Sequence, residues 1–329
     1  MISSLSRNLF KSPSGIRAFG NTSIPSLATA MTKQLGLEHP IVLAPMGGVS
    51  GAKLAAAMAD TGGLGFVGSG GQDKNKKSSF LPSHAIMAEI QESNHLTRYR
   101  PRLGVGLVVE SQLDKDPSLL IEIMKTEPRN VWISYGDFKD YVHILQDFSF
   151  SDIHLFIQVS SMTEAVEAYN LGVKGIVLRA KGAGGYVLSD NLPPLKEFIT
   201  DVRKYLDSEK QKNPAQAAKQ STFLIAAGGI SSGEGIARCL ELGADGVCLG
   251  TVLAATEESD LPLELKQKLS DKGSRHVIRE NPDGEPVYSG TSVKGIQGVR
   301  SVHEVVKDLL THAIAAVPGE NLDSEVDKA

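Results

Sequence analysis

The sequence predicts a single α/β domain folded as a (β/α)8 TIM-type barrel, and three observations carry that expectation. Eight short apolar runs recur along the 329 residues, most are followed by a helical pattern, and glycine-rich turns collect where the runs end. The runs are nearly continuous in apolar residues rather than alternating, as strands covered on both faces are. Eightfold repetition favours a closed barrel; an open doubly wound sheet is the alternative.

The first run is Ile41–Ala44. Pro45 stops it, since proline cannot donate to a ladder, and Ser50 signals an Ala-rich helix over Gly51–Asp60. The second run, Gly65–Val67, precedes a helix over Ser83–Ser93. Leu103–Val108 precedes Pro117–Lys125, and Val131–Ser134 precedes Phe138–Leu145. After His154–Val159, Ser161 with Glu164 forms a capping-box pattern that opens a helix over Ser161–Leu171. Gly175–Leu178 leads to a helix over Pro194–Leu206, and the polar stretch 208–220 reads as a surface connection. Phe223–Ala227 leads into Ser232–Leu242, and Gly246–Leu249 is the eighth run. Beyond it, glycine-rich Gly284–Gly298 reads as irregular chain able to cover the barrel mouth.

The ends differ from the middle. Residues 1–37 hold no Asp or Glu, while Arg7, Lys11, Arg17 and Lys33 are spread among Ser, Thr and Asn. This composition resembles a mitochondrial presequence; a disordered tail or an upstream start before Met31 are the alternatives. The expected organisation is an N-terminal extension over 1–31, a barrel over 32–317 and a polar, acidic tail over 318–329. An intracellular location, cytoplasmic or mitochondrial, follows from these features and from the cysteine usage.

Apolar residues make up 41% of the chain and charged residues 22%, and the formal net charge is -4. This near balance gives no reason to expect nucleic acid or an anionic membrane as partner. No apolar run approaches the roughly 18–20 residues of a membrane span. The two cysteines, Cys239 and Cys248, read as buried reduced thiols; neither a metal-ligand spacing nor a disulfide framework is present, so no metal is expected. Oligomeric state leaves no signal.

Barrel sites form at the C-terminal strand ends, so the residues just past each run carry the chemistry. After the first run stand Ala44, Pro45, Met46 and Gly47, a turn against which a flat ligand could lie. Gln158 is a polar residue in an otherwise apolar fifth run; its amide can both donate and accept, or can be a core glutamine satisfied by backbone. After the sixth run, Arg179-Ala180-Lys181-Gly182-Ala183-Gly184-Gly185-Tyr186 combines two cations with three glycines. Such amides can cradle an anion, with an ordinary turn as the bland reading. After the seventh and eighth runs come Gly228-Gly229 and Gly250-Thr251, the usual place for a phosphate in a barrel.

Taken as an ordered set, PIVLAPMGGVSG (40–51), GGLGFVGSGG (62–71), FIQVSS (156–161), KGAGGY (181–186), AAGGISSG (226–233) and GADGVCLGTVLAATEES (243–259) resemble the nitronate monooxygenase family, formerly 2-nitropropane dioxygenases, over roughly residues 32–300. The resemblance implies an FMN-dependent oxidoreductase that oxidises alkyl nitronates with O2 to a carbonyl compound and nitrite. It sets Ala44, Pro45, Met46 and Gly47 against the flavin ring and Gln158 at its polar edge. Lys181, Gly184 and Gly185 would lie near the ribityl chain and phosphate, and Gly228, Gly229, Gly250 and Thr251 at the phosphate.

One departure bears on mechanism. The family pattern near the fourth strand end carries a histidine, and alignment on Gly136 sets Ser134 in its place. A serine hydroxyl does not accept a proton near neutral pH as imidazole does. A family motif of the Glu-Ala-Gly-Gly-His type is replaced by Gly182-Ala183-Gly184-Gly185-Tyr186. Ser134, Tyr135 and Tyr186 are therefore the expected substrate-positioning residues, and Asp137 is either a base or a helix cap. The competing functions are an FMN-dependent NAD(P)H reductase of an enoyl thioester or quinone, a flavin-free isomerase or lyase of a phosphorylated substrate, and a protein that keeps FMN without turnover.

Overall fold

The computed structural model describes residues 24–69, 83–148, 152–185, 191–215, 221–271 and 289–316. Eight parallel strands form one sheet: β1 (Ile41–Leu43), β2 (Gly65–Gly68), β3 (Leu103–Val108), β4 (Asn130–Ser134), β5 (His154–Val159), β6 (Gly175–Arg179), β7 (Phe223–Ala227) and β8 (Gly246–Leu249). Each pairs with its sequence neighbour, and β8 pairs back onto β1. Between β1 and β2 a single bridge, Val42 with Leu64, closes the circle through Leu43 N to Leu64 O at 2.8 Å and Leu64 N to Ile41 O at 3.1 Å. The expected barrel is thus the observed fold.

The strands alternate between barrel interior and helical layer. Val42, Phe66, Trp132, Phe156, Val177, Ile225 and Cys248 meet in one inner cluster. Phe66 packs edge-on against Trp132 and Phe156, with ring centroids 5.3 and 5.4 Å apart. These rings need space from their neighbours. A Cβ on Gly104 would lie 2.5 Å from the Phe66 ring, and one on Gly175 2.3 Å from Phe156. Large aromatics on three strands and glycines on the strands beside them fill the barrel as a solid core.

The N-terminal end is plugged by α1 (Ala30–Leu35), whose Thr29 and Thr32 cap each other's backbone amides. Fully buried Met31 reaches into the inner cluster, within 2.4 Å of where a Gly246 Cβ would stand. Leu27 is buried too, so packed structure begins ahead of residue 31. His39 sits at this end, its Nε2 3.2 Å from Thr61 Oγ1. Burial holds its imidazole neutral, at about 3, against the opposing bond to Thr61.

The outer layer comprises α2 (Ala52–Thr61), α3 (Ser83–Leu96), α4 (Ser118–Met124), α5 (Lys139–Asp147), α6 (Met162–Asn170), α7 (Leu195–Lys212), α8 (Gly233–Glu241), the short α9 (Thr251–Ala254), α10 (Leu263–Ser270) and α11 (Val302–Ala315). Ser161 caps α6 as expected, accepting from Glu164 N at 3.2 Å, while Glu164 reaches back to Ser160 N. Ser50 does not cap α2: its hydroxyl is spent on Met46, and Glu89 Oε2 accepts from Ala52 N at 2.7 Å instead. The helix expected to end at Leu206 runs to Lys212, so residues 208–212 are helical rather than loop. One face buries Leu195, Phe198, Ile199, Val202 and Leu206, and the polar last turn carries a Lys212–Glu209 pair at 2.7 Å. Helix α11 has no counterpart among the expected elements. Its capping box at Ser301 and Glu304 starts it, and Gly233 lets it lie close on α8, where a Cβ would fall 2.4 Å from Ala313 N.

Candidate active site

Carrying the inward alternation one step toward the C-terminal ends defines the uppermost ring of the barrel: Ala44, Gly68, Val108, Ser134, Gln158, Arg179, Ala227 and Gly250. Ala44, Gly68, Ala227 and Gly250 are small, and the polar group of Ser134, Gln158 and Arg179 stands on the consecutive strands β4, β5 and β6. A floor of small residues beside polar groups suits a flat ligand edged by hydrogen bonds.

The turn after β1 lies over this floor. Pro45 sits on Gly106, where a Cβ would fall 2.2 Å from the proline ring, and Met46 backbone presses on Gly68, where the distance would be 2.5 Å. Ser50 locks the turn, accepting from Met46 N at 2.7 Å and donating to Met46 O at 3.2 Å. The Met46 thioether reaches the Gly250 side, 3.4 Å from where a Cβ would stand. Gly47 is the exposed tip.

The β4 end is strained. Tyr135 has φ 54, a left-handed conformation that a bulky residue rarely adopts, and Gly136 follows with φ 133. Several contacts hold it there. Glu110 N donates to Tyr135 O at 3.0 Å, and the phenol oxygen lies 2.1 Å from where a Gly185 Cβ would be. The Arg179 guanidinium carbon stands 5.3 Å from the Tyr135 ring centroid. Ser134 is buried, its hydroxyl donating to Leu107 O at 3.2 Å. Asp137 accepts from Lys139 N at 3.2 Å and is exposed, as a helix-start residue is. Tyr186 lies outside the described residues.

The loops after β6, β7 and β8 converge. Gly228 has φ 139 and Gly229 φ 67, which turns the chain from β7 into α8. Ser232 caps that helix through Gly235 N at 3.1 Å. Thr251 opens α9, and its hydroxyl accepts from Gly290 N at 2.9 Å. Residues 290–295 cross all three loops: Thr291 N donates to Gly182 O at 2.9 Å, and Gly290 and Gly295 press against Gly184 and Ser231. This part of the C-terminal glycine-rich segment therefore covers the β6–β8 side of the mouth. Lys181 is exposed beside it, while Gly184 and Gly185 are half-buried.

Gln158 is half-buried, and its amide makes no hydrogen bond among the described residues. A polar side chain held between apolar neighbours with its bonding capacity unused is available to a ligand. No histidine among the described residues stands at a C-terminal strand end. His39 and His154 lie at the opposite end, and burial pushes His154 down to about 4. The others are on α3, α5 and α11. Among the described residues no cluster could hold a metal ion, and no helix is long and apolar enough to cross a membrane. Both cysteines are buried, and desolvation pushes Cys239 up to about 12.

The sequence reading counted Arg179 among the loop cations after the sixth run and passed over Gln112. Arg179 is instead the last residue of β6 and only 4% exposed, and its signal was parity: Val177 faces inward, so the residue two positions on does as well. Gln112, in a π-helical turn over Val109–Leu113, ties the β2 and β3 ends together through Ser69 Oγ at 2.6 Å and Val108 N at 2.9 Å. Nothing local in the sequence marks that turn.

Comparison with known proteins agrees with this architecture. A family model described as nitronate monooxygenase matches residues 28–278. The chain is 28% identical to a nitronate monooxygenase of Neurospora crassa over 268 residues, covering 75% of this chain and 66% of that protein. It is 24% identical to a nitronate monooxygenase of Paraburkholderia phytofirmans, covering 75% and 72% respectively. Among solved structures, FabK from Thermotoga maritima superimposes with a TM-score of 0.72 at 20% identity, covering 89% of this chain and 98% of that one. A nitroalkane oxidase from Streptomyces ansochromogenes gives 0.68 at 20% identity, with 88% and 99% covered.

Proposed function

Because this chain belongs to the nitronate monooxygenase family, we propose that it is an FMN-dependent oxidoreductase that uses O2 to convert alkyl nitronates to carbonyl compounds and nitrite. The observation that carries the reading is the uppermost ring of the barrel, where small residues under the Ala44–Gly47 turn adjoin the unspent amide of Gln158. FMN fits these residues. Its flat ring would have a floor of Ala44, Gly68 and Gly250 with Pro45 and Met46 beside it, and Gln158 would meet its polar edge. Its phosphate would be held by the Gly228-Gly229 turn, the α8 start, Gly250 and Thr251. Lys181, Gly184 and Gly185 border the path between them.

Bound FMN would supply the electron-accepting ring; the chain's residues bind, orient and exclude water. A nitronate is already an anion, so the reaction does not call for a base at the β4 end. Ser134, held by Leu107 O, and Tyr135, fixed in its left-handed turn, present a shaped wall rather than a proton acceptor. Tyr186, outside the described residues, is the third residue proposed to position the substrate. Residues 290–295 shield the β6–β8 side from solvent.

The test is O2 uptake and nitrite release by the purified holoprotein given an alkyl nitronate, beside the same assay on the corresponding neutral nitroalkane. The proposal expects turnover of the nitronate and little of the nitroalkane, for whose deprotonation no histidine stands at a C-terminal strand end among the described residues. Equal turnover of both would show a working base and overturn the role given to Ser134. No turnover of either, with rapid oxidation of NAD(P)H, would replace this reading by the reductase.

A further inference from the structure

We propose that a cavity at the N-terminal end of the barrel, opposite the mouth, binds an apolar α-amino acid, with Arg100 taking its carboxylate and Glu127 its ammonium group. The inference does not rest on the nitronate reading. The cavity measures about 440 Å³, within the roughly 300–1,000 Å³ of small-molecule sites. It opens between the last turns of α3, the 3-10 turn Arg100–Arg102 and the loop 126–129 that leads from α4 into β4. Ile90, Pro101, Leu103 and Pro128 form its apolar wall, and all but Pro101 are buried. Gly104 gives it backbone alone, since a Cβ there would point at Phe66 inside the barrel.

Most polar groups around the cavity are already spent. Ser93 Oγ donates to Ile90 O at 2.8 Å, and Thr126 Oγ1 donates to Ile123 O at 2.7 Å. Arg129 Nη2 meets Asp152 Oδ2 at 3.1 Å. Two opposite charges remain, both on exposed residues at the rim. Arg100 donates its Nε to Asn94 O at 3.0 Å, which sets the plane of the guanidinium, and its Nη atoms meet no carboxylate among the described residues. The Glu127 carboxylate has neither a hydrogen bond nor an ion pair among the described residues. Opposite charges that line one cavity without meeting suit a ligand that carries both, with an apolar body for the wall between them. The guanidinium fork matches a carboxylate, and a carboxylate accepts from an ammonium group. The backbone at Glu127 agrees. Its N–H closes α4 on Met124 O at 3.1 Å with φ 49, a helix-ending position that glycine fills without strain. Glutamate is strained there and gains no polar contact in return. Among the described residues the other non-glycine with left-handed φ is Tyr135, at the mouth, and such residues collect at ligand sites.

The test is calorimetric titration of the full-length protein, as purified, with L-leucine, beside thermal unfolding with and without it. Saturable binding that raises Tm is expected. Glycine lacks the apolar body, 4-methylpentanoate the ammonium group and 3-methylbutylamine the carboxylate, and each should bind at least tenfold more weakly than L-leucine. Arg100→Gln and Glu127→Gln should each weaken L-leucine at least tenfold. Both positions are exposed, so both variants should unfold close to the wild-type Tm without ligand. Glu127→Gly relieves the left-handed strain: its Tm without ligand should exceed that of wild type while L-leucine binding falls at least tenfold. A purely structural role for Glu127 would not move stability and binding in opposite directions. No saturable binding of L-leucine, unchanged affinity in either glutamine variant, or 4-methylpentanoate bound as tightly as L-leucine overturns the inference. Calorimetry reads this site with or without flavin turnover, so its failure and the failure of nitronate oxidation are separate results.

Discussion

Gly106→Ala places one methyl group under the turn on which the account depends. The added Cβ would fall 2.2 Å from Pro45 Cβ and 2.4 Å from Pro45 Cγ. Carbon atoms rest at about 3.5–4.0 Å, so the turn must rise by roughly 1.3–1.8 Å or the barrel must open by as much. Such overpacking costs about 1–3 kcal/mol, a fall of a few degrees in Tm for a chain of this size. Gly104→Ala provides the contrast: it also points inward, 2.5 Å from the Phe66 ring, but lies a layer deeper. Both variants should lose similar stability. Only Gly106→Ala should weaken FMN, by tenfold or more, because Pro45 and Met46 are displaced from the ring's place; tenfold is about 1.4 kcal/mol. The assay is quenching of flavin fluorescence on titrating apoprotein into FMN, beside thermal unfolding of the same samples. Equal FMN affinity in both variants, with the expected loss of stability, would refute the reasoning that the Ala44–Gly47 turn contacts the flavin.

Further expectations follow from other parts of the fold. His39 is buried and neutral, protonating at about 3 in the folded state against 6.5 unfolded. The unfolded chain therefore binds a proton that the folded one does not, and stability falls as pH drops from 6.5 toward 3, by about 1.4 kcal/mol per pH unit. In urea titrations across that window His39→Gln should show a shallower pH slope than wild type; an unchanged slope would contradict the assignment. Leu310→Ala, at a fully buried position of α11, should cost about 2–5 kcal/mol in the same assay, and a cost under 1 would mean that α11 is not part of the core. Cys239 and Cys248 should resist a thiol reagent in the native protein and both react in denaturant, because burial raises each thiol.

The barrel was legible because its strands are buried on both faces, so apolar runs mark them directly. The bounds erred where charge and polarity masked helix: α7 continues past Leu206 on a turn that buries nothing. Helix α11 carries both of the usual signals, a capping box at Ser301 and apolar residues at Val302, Val306, Leu309 and Leu310, and it was legible in principle. At the mouth, glycines and proline announced where backbones meet. They did not distinguish a ligand's demand from a neighbour's: Gly106 and Gly185 make room for Pro45 and Tyr135. Arg179 could be placed only once strand parity was known. The left-handed turn at Tyr135 is held by contacts with the turn after β3 and with the β6 loop, which are distant in sequence. Such a turn has no local signature beyond the glycine that follows it.

The visible absorption spectrum of the purified protein, before and after anaerobic addition of an alkyl nitronate, tests the central claim most directly. The account predicts a flavin spectrum, released as FMN on denaturation, that bleaches with nitronate although no histidine among the described residues stands at a C-terminal strand end. A protein that stays colourless after incubation with FMN, or a bound flavin that no nitronate reduces, would contradict it.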